Sequence, residues 1–341
     1  MIAAPLVATV TATVMLFHLH DKRIDEASGI GRGIAAPGVF YVQNDSGDSA
    51  RFFAIDVVTG RTRALYTVPG AHNVDWEDLA VARDARGVPS VWLADIGDND
   101  ANRAQVQLYR VDEPATVRSG ATGKPQVWRL RYPTGPVNAE SLAVGPGGRA
   151  YVVTKSDDGR SVVYAVPSTP TGRVQTMRRV GVIRFHAHGG IIPARLQRLA
   201  TGAAMSPDGS LFTVRTYTDA YVWHVHAGDL AAALHARPVR VDIPLQPQGE
   251  GVCFVGRALV LDSEGVASPV DRVPLPASLF PVRSSSPTRS ANPSANRPPS
   301  PAASARARAG TGSASLWWFA GTAAVVVLLG GVAAWWRRKR E

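Results

Sequence analysis

Cysteine is almost absent from this chain of 341 residues, which contains only Cys253. A single cysteine excludes an intrachain disulfide, so disulfide bonding gives no information about the redox compartment. The thiol lies in the apolar run GVCFV, and no cationic neighbour that would lower its pKa is evident. We therefore expect a buried structural thiol rather than a nucleophile.

Acidic residues are scarce at the C-terminal end, where eight basic side chains accompany only Glu341 after residue 283. This end supplies +7 of the formal net charge of +10 and leaves +3 for residues 1–283. The globular part is nearly balanced, so the sequence pI of about 10.2 does not indicate nucleic-acid binding.

Several catalytic motifs are also missing. The sequence has no Walker motif, no GxSxG elbow and no CxxC pair. The glycines of residues 28–33 do not have the spacing of a dinucleotide-binding loop, and no helix pattern follows them. These enzyme classes are therefore set aside.

The sequence does contain an internal repeat between Ser28 and about Arg283. Its opening element is a polar residue, then a small or acidic residue, then apolar residues. The five copies begin at Ser28, Glu77, Glu140, Thr201 and Glu250. Successive openings are 49, 63, 61 and 49 residues apart. Repetition at such intervals is typical of propellers and other repeat folds.

Each opening is followed by a turn and by further short apolar runs, without helical periodicity. Four short antiparallel strands per unit predict an all-β fold, a β-propeller of five recognisable blades, with six as the alternative. A β-sandwich of short strands would give no reason for the same opening to recur. The apolar run Val14 to Leu19 is expected to complete the last blade and close the ring.

The composition divides the chain into five parts. We interpret residues 1–12 as a possible truncated signal segment, residues 13–283 as the propeller and residues 284–315 as a disordered linker rich in Pro, Ser, Ala and Arg. Residues 316–336 carry no charge and are long enough to span a bilayer, with tryptophan pairs at both ends. The basic residues among 337–341 predict a cytoplasmic tail, with the propeller outside. A sortase signal is the weaker interpretation, because residues 308–312 keep only its Thr-Gly pair.

The openings ESLAV and EGVCF, the loop NDSGD and the run from WEDLAVA to ADIGDN resemble the phytase-like and SdiA-regulated-like exported propellers of bacteria. The resemblance covers roughly residues 26–271. It implies a propeller fold, and in related phytases and lactonases carboxylates near the central channel hold Ca2+. Glu77, Glu140 and Glu250 match these openings, whereas Ser28 and Thr201 depart from the carboxylate pattern.

The residues themselves also suggest a metal site, because opening strands line the channel of a propeller. Carboxylates from separate blades suit Ca2+, although Asp and Asn are also ordinary turn formers. The candidate metal or channel residues are Glu77, Glu140, Glu250, Asp45, Asp95, Asp98, Asn99 and Asp262. Lys155 and Arg215, which end second strands, are candidates for binding an anionic substrate or for neutralising the carboxylates.

Histidines occur in three pairs spaced by two, including His186 and His188. This spacing places both rings on one face of a strand, as a zinc site requires, but a solvated strand face is the simpler interpretation.

We expect a plasma-membrane protein, anchored in the lipid bilayer through residues 316–336, whose extracytoplasmic propeller binds a small molecule, glycan or protein. Nucleic acid is not an expected partner. The alternative is a Ca2+-dependent propeller hydrolase of the phytase, esterase or lactonase type.

Overall fold

The computed structural model describes residues 12–280, which form five β-sheets. A first strand, β1 (Val14–His18), precedes the repeats. Blade 1 contains β2 (Ala27–Arg32), β3 (Val39–Asn44), β4 (Arg51–Asp56), β5 (Thr62–Thr67) and, parallel to β5, β9 (Gly120–Ala121). Blade 2 contains β6 (Trp76–Arg83), β7 (Pro89–Asp95), β8 (Val106–Asp112), β10 (Gln126–Arg131) and, parallel to β10, β14 (Val174–Thr176).

The other three sheets have four strands each. Blade 3 contains β11 (Ala139–Gly145), β12 (Arg149–Thr154), β13 (Arg160–Ala165) and β15 (Arg178–Arg184). Blade 4 contains β16 (Ala200–Met205), β17 (Leu211–Thr216), β18 (Asp219–His224) and β19 (Val239–Asp242). Blade 5 contains β20 (Gly249–Val255), β21 (Ala258–Ser263), β22 (Pro269–Pro274) and β1. The described helices are α1 (Leu230–Ala233) and the short 3-10 helices Pro146–Gly148 and Ala277–Leu279.

The first strand of every blade lies at the centre of the propeller. Strands β2, β6, β11, β16 and β20 contact one another in cyclic order, and β20 contacts β2 to complete the ring. The predicted five-bladed propeller is therefore confirmed. Its inner strands are the five openings of the sequence repeat.

A tight turn precedes the second strand of blade 4. Between β16 and β17, Gly209 has a φ of 73°, a left-handed conformation that favours glycine. The side chain of Asp208 accepts a hydrogen bond from the backbone of Ser210 at 3.0 Å. This local bond holds the turn and leaves the flanking apolar residues to form the strands.

Hydrophobic cores lie between neighbouring blades. Between blades 1 and 2, Tyr41 and Phe52 pack in one cluster with Leu79 and Tyr109. Trp92 and Trp128 of blade 2 share a second cluster with Leu142 and Val152 of blade 3, and their ring centroids are 5.2 Å apart. Phe212 and Trp223 of blade 4 share a third with Val153 and Val163 of blade 3. The blades therefore pack face to face around the axis, which explains why the strands alternate less than those of a one-sided sheet.

The ring is closed by a strand from the N-terminal side of the chain, as predicted. β1 pairs antiparallel with β22, so blade 5 combines three strands from the last repeat with one that precedes the first. Phe17 and Leu19 are buried in a cluster with Phe40 of blade 1 and Val260 of blade 5. Closure of this kind leaves no gap between the first and last repeats.

The long intervals between repeats do not form a sixth blade within residues 12–280. Strand β9 extends blade 1, and strands β10 and β14 extend blade 2. Residues 186–199 form loops and turns without a strand. Insertions therefore widen existing sheets or connect them.

Among residues 12–280, no helix has the length and apolar character needed to cross a membrane. The propeller unit ends at Leu279. The predicted signal segment falls almost entirely outside the described residues, and the predicted linker, membrane span at residues 316–336 and basic tail fall wholly outside them.

Candidate functional site

Each inner strand begins with a β-bulge at the residue that opens the repeat. In blade 2, Trp76 pairs with Asp95 and Asp78 with Ala94, so Glu77 is the extra residue. The same irregularity occurs at Ser28, Glu140 and Thr201, and in blade 5 at Glu250 and Gly251. Side chains of a regular strand alternate between the two faces of the sheet. A bulged residue interrupts this alternation, so its side chain points in a different direction. The sequence repeat therefore encodes a set of bulged positions around one end of the ring.

The bulged residues fall into two groups. Glu77, Glu140 and Glu250 are all buried. The hydroxyl of Ser28 donates to the backbone carbonyl of Glu77 at 2.7 Å, and that of Thr201 donates to the carbonyl of Gly249 at 2.9 Å. The two copies without a carboxylate therefore join neighbouring inner strands. We call the end of the ring formed by the three glutamates and the side chains that contact them the acidic end.

Lys155 and Tyr217 connect two of the glutamates. The ammonium of Lys155, just after β12, forms an ion pair with Glu140 and a hydrogen bond of 3.2 Å with the Tyr217 hydroxyl. That hydroxyl donates to Oε1 of Glu250 at 3.1 Å. Burial opposes the charge on Lys155, but Glu140 and the other neighbours hold its pKa well above the usual range. The lysine therefore stays protonated beside two carboxyl groups.

Glu77 forms a second group with two aspartates from loops. One carboxylate oxygen from each of Asp45, Asp75 and Glu77 lies within 4.8 Å of the other two. Asp45 and Glu77 are buried and Asp75 is half-buried. Burial, followed by the charges of Asp45, Glu140 and Asp75, raises the pKa of Glu77 well above its ordinary value. Three hard oxygen donors at this spacing fit a divalent cation such as Ca2+.

Gly97 leaves the room in which these oxygens meet. A Cβ atom at this position would overlap Oε1 of Glu77 and Oδ2 of Asp75. The backbone amide of Gly97 donates to the carbonyl of Asp75 at 3.1 Å, which fixes the loop against the group. Only glycine, which has no side chain, leaves space for the carboxylates of Glu77 and Asp75 at this position of the loop ADIGDN.

The other predicted residues of that loop support it rather than face the three oxygens. Asp95 pairs with Arg103 at 2.9 Å and accepts the backbone N–H of Asp75 at 3.1 Å. Asp98 accepts the backbone N–H groups of Asn102 and Arg103, each at 2.9 Å. The exposed Asn99 accepts a hydrogen bond of 3.1 Å from Asn138. Their direct role in a metal site stays a prediction, and these contacts favour a positioning role.

Arg215 and Asp262 are fully buried at the interface of blades 4 and 5. The guanidinium of Arg215 donates to the carbonyls of Gly251 and Asp262 at 2.9 and 3.2 Å and to Gln246 at 3.1 Å. Asp262 accepts the backbone N–H of Gly251 at 2.7 Å, and burial raises its pKa to about 7. Anion binding by Arg215 stays a prediction, and its carbonyl contacts favour a structural role.

Asp78 is an important residue that sequence reasoning did not select. Its Oδ2 atom accepts the backbone N–H groups of Leu142 in blade 3 and Ala203 in blade 4, at 2.7 and 3.3 Å. Its Oδ1 atom accepts the N–H of Leu79 at 2.7 Å. A buried carboxyl at the second position of one opening therefore links three inner strands across the axis.

Small residues fill that second position in the other copies because the inner strands approach closely. A Cβ atom at Gly29 would overlap the backbone of Leu79, and one at Gly251 would lie 2.7 Å from the backbone N of Ile30. Beyond this layer, Ile30 and Leu79 help to line a cavity of about 640 Å³ at the opposite end of the ring. Asp78 therefore lies between the acidic end and this cavity.

The fold and the site together define a five-bladed propeller with an acidic end. No family model and no curated protein matches the chain. Among solved structures, it is similar to the PQQ-bound aldose sugar dehydrogenase of Streptomyces coelicolor, with 12% identity and a TM-score of 0.44 over 78% of this chain and 99% of that one. It is also similar to hydrazine synthase of Kuenenia stuttgartiensis, with 15% identity and a TM-score of 0.36 over 70% of this chain and 56% of that one. The five sheets of this protein define its blade count.

Proposed function

We propose that the protein is a cell-surface propeller that binds Ca2+ at its acidic end and uses the ion to hold an oxygen-rich ligand. The observation that carries the proposal is the meeting of Asp45, Asp75 and Glu77 oxygens within 4.8 Å. Ca2+ takes roughly six to eight oxygen ligands. Three carboxylates therefore leave coordination positions for oxygens of a ligand.

Neighbouring side chains suit such a ligand. A bound cation would supply positive charge for the oxygens of a phosphate, carboxylate or lactone. Lys155 adds a charge that Glu140 holds in place, and the half-buried Tyr217 adds a hydroxyl. The ligand would therefore be held between the cation and these donors.

Calcium binding is testable by titration calorimetry on the purified full-length protein after treatment with a chelator. The wild type is expected to bind Ca2+, and Asp75→Asn is expected to weaken binding at least about tenfold, because a charged ligand is lost. Asp75 is half-buried, so the substitution disturbs packing little. The matched control is Asp242→Asn, whose side chain is 84% exposed, and it should bind like the wild type. Absence of binding by the wild type at millimolar Ca2+ would contradict the proposal.

Hydrolysis of phosphate esters or lactones is the second candidate, favoured by Glu250. Burial raises the pKa of this residue to about 8, and its Oε2 atom has no hydrogen-bond partner among residues 12–280. A carboxyl group that titrates near neutral pH is suited to accept a proton from an attacking water.

The two candidates differ in turnover. If the protein is a hydrolase, p-nitrophenyl phosphate or a simple lactone is hydrolysed in the presence of Ca2+, and Glu250→Gln lowers the rate by about 100-fold or more while leaving Ca2+ binding intact. Turnover that is unchanged in this variant would exclude Glu250 as the base. Calcium binding without turnover of either substrate class would leave the ligand-binding function.

The phytase-like and SdiA-regulated-like family and the membrane location belong to the same proposal. The family is supported by the glutamate openings, and the location by the uncharged residues 316–336 with the basic residues that follow. In intact cells, a C-terminal epitope tag should be protected from external protease and antibody, whereas an epitope in the propeller should be accessible. An accessible C-terminal tag would contradict this orientation.

A further inference from the structure

A recess of about 820 Å³ lies on the outer side of blades 3 and 4 and shares no residue with the acidic end. Its walls come from β15 and the residues that follow it, from β18, and from the segment after α1 together with β19. The residues that line it include Arg184, Arg237 and Arg240 together with His186 and His188, and none of them is acidic. Its volume lies in the range of small-molecule sites, roughly 300–1,000 Å³.

The positive charge of this recess is only partly neutralised. Arg240 lies 3.6 Å from Asp219 and 3.2 Å from Asp242. Within residues 12–280, neither Arg184 nor Arg237 has a carboxylate within ion-pair distance. Both are exposed. The guanidinium groups of Arg184 and Arg237 therefore have no ion-pair partner among these residues, although Arg184 interacts with Asp158 at longer range, and Arg240 lines the same recess.

Polar contacts connect one side of the recess to β18. Nε2 of His188 lies 3.0 Å from the Tyr221 hydroxyl and 3.9 Å from Oδ2 of Asp219. Asp219 in turn contacts Arg240. Asp219 of β18 therefore contacts both His188 and Arg240 at this side of the recess.

The floor of the recess is apolar and closely packed. The indole N–H of Trp223 donates to the carbonyl of Ala236 at 3.2 Å. A Cβ atom at Gly181 would lie 2.8 Å from Leu234, so this glycine lets α1 pack directly on β15. The recess therefore joins a fixed apolar surface to a cationic rim.

We propose that this recess binds a small phosphorylated molecule the size of a sugar phosphate. Its phosphate would lie among Arg184, Arg237 and Arg240, because planar guanidinium groups form paired hydrogen bonds with phosphate oxygens. Its less polar body would pack on the floor beside Trp223 and Leu234. The site is independent of calcium and of the acidic end.

The test uses the full-length protein and titration calorimetry with glucose 6-phosphate, inorganic phosphate and glucose as probes. Glucose 6-phosphate is expected to bind more tightly than inorganic phosphate, and glucose is expected not to bind measurably. The double variant Arg184→Gln/Arg237→Gln should weaken glucose 6-phosphate binding at least about tenfold, since two charge-assisted contacts are lost. The matched control Arg118→Gln/Arg173→Gln removes the same charge from exposed positions outside the recess and should bind normally.

Three results would overturn the proposal. One is absence of binding by both phosphate probes. Another is equal weakening in the two double variants, which would indicate non-specific attraction by net charge. The third is glucose binding as tightly as glucose 6-phosphate. Because Asp75→Asn should leave this binding unchanged, failure here is distinguishable from failure of calcium binding at the acidic end.

Discussion

Asp78→Ala is expected to lower the free energy of unfolding by about 3–5 kcal/mol. In the native protein, the carboxyl group of Asp78 accepts the N–H groups of Leu79, Leu142 and Ala203. Each buried N–H that loses its acceptor costs about 1–3 kcal/mol, and the longest of the three bonds, 3.3 Å to Ala203, contributes least. Because these groups belong to the inner strands of blades 2, 3 and 4, the loss weakens the ring and not only one sheet.

Urea denaturation of the purified protein measures this effect. Asp78→Asn keeps the volume and one carbonyl oxygen, so its loss should be smaller, on the order of 1–3 kcal/mol. This variant provides a measurable value if Asp78→Ala does not fold. Asp242→Ala, at a side chain 84% exposed, should change stability by no more than about 0.5 kcal/mol. Wild-type stability in Asp78→Ala would show that the bridge contributes nothing to the ring.

The fold was predictable because the repeat reflects a geometric requirement of every blade. Each opening must place a bulge at the start of an inner strand and a small residue or Asp78 in the layer beneath it. These structural requirements recur in all five blades. They therefore produce a repeat that is visible in a single sequence, without an alignment of homologues. The closing strand was predictable for a similar reason, since the run at residues 14–19 occupies the place of a missing fourth strand.

The composition of the candidate site was less predictable. Asp75 lies two residues before the opening Glu77, and the equivalent positions before Glu140 and Glu250 are Asn138 and Gln248. Because the repeat does not keep a carboxylate at this position, nothing in the sequence distinguishes Asp75 from a turn residue. Tyr217 bridges Lys155 and Glu250, which belong to different blades, and only the closed ring brings the three together. Sequence patterns report periodic constraints, whereas contacts between non-equivalent loops depend on the assembled ring.

Arg215, which the sequence predicts as a candidate for anion binding, also depends on contacts with another blade. The sequence predicts that Arg215 lies at the end of the second strand of blade 4, and the structure places it there, in β17. The direction of its guanidinium depends on the carbonyls of Gly251 and Asp262, which are supplied by the neighbouring blade. The sequence pattern gives no information about that direction.

In the presence of a chelator, the protein is expected to lose stability as the pH rises from about 5 to about 8. Burial raises the pKa of Asp262 to about 7 and that of Glu250 to about 8, so the folded state binds these protons more tightly than the unfolded chain. The stabilisation is complete below the unfolded pKa values, near 4, and is lost as the pH passes through the folded values. For Asp262 the full loss between pH 4 and 8 is on the order of 4 kcal/mol, of which roughly 3 kcal/mol falls above pH 5.

Other titrating groups do not reverse this direction. Asp21 has its pKa lowered to about 2 by its hydrogen bond with Arg23, so its contribution is lost only as the pH falls below about 4. Lys155, whose pKa is raised, keeps its proton throughout the interval. Stability should therefore be greatest near pH 4.

Thermal unfolding midpoints, measured against pH at constant ionic strength with and without Ca2+, separate the effect of the buried carboxyl groups on stability from that of Ca2+ binding. Asp262→Asn should flatten the decline between pH 5 and 8 and leave stabilisation by Ca2+ unchanged, because Asp262 is not among the three proposed ligands. Asp75→Asn should do the reverse: the decline with pH remains, and the stabilisation by Ca2+ falls from about 2.7 kcal/mol, at 100 times the wild-type Kd, to about 1.4 kcal/mol or less. A midpoint that rises between pH 5 and 8 in chelator would show that these buried carboxyl groups fold in the charged form. Contacts other than the hydrogen bonds from Gly251 to Asp262 and from Tyr217 to Glu250 would then offset the effect of burial on the pKa of these two residues.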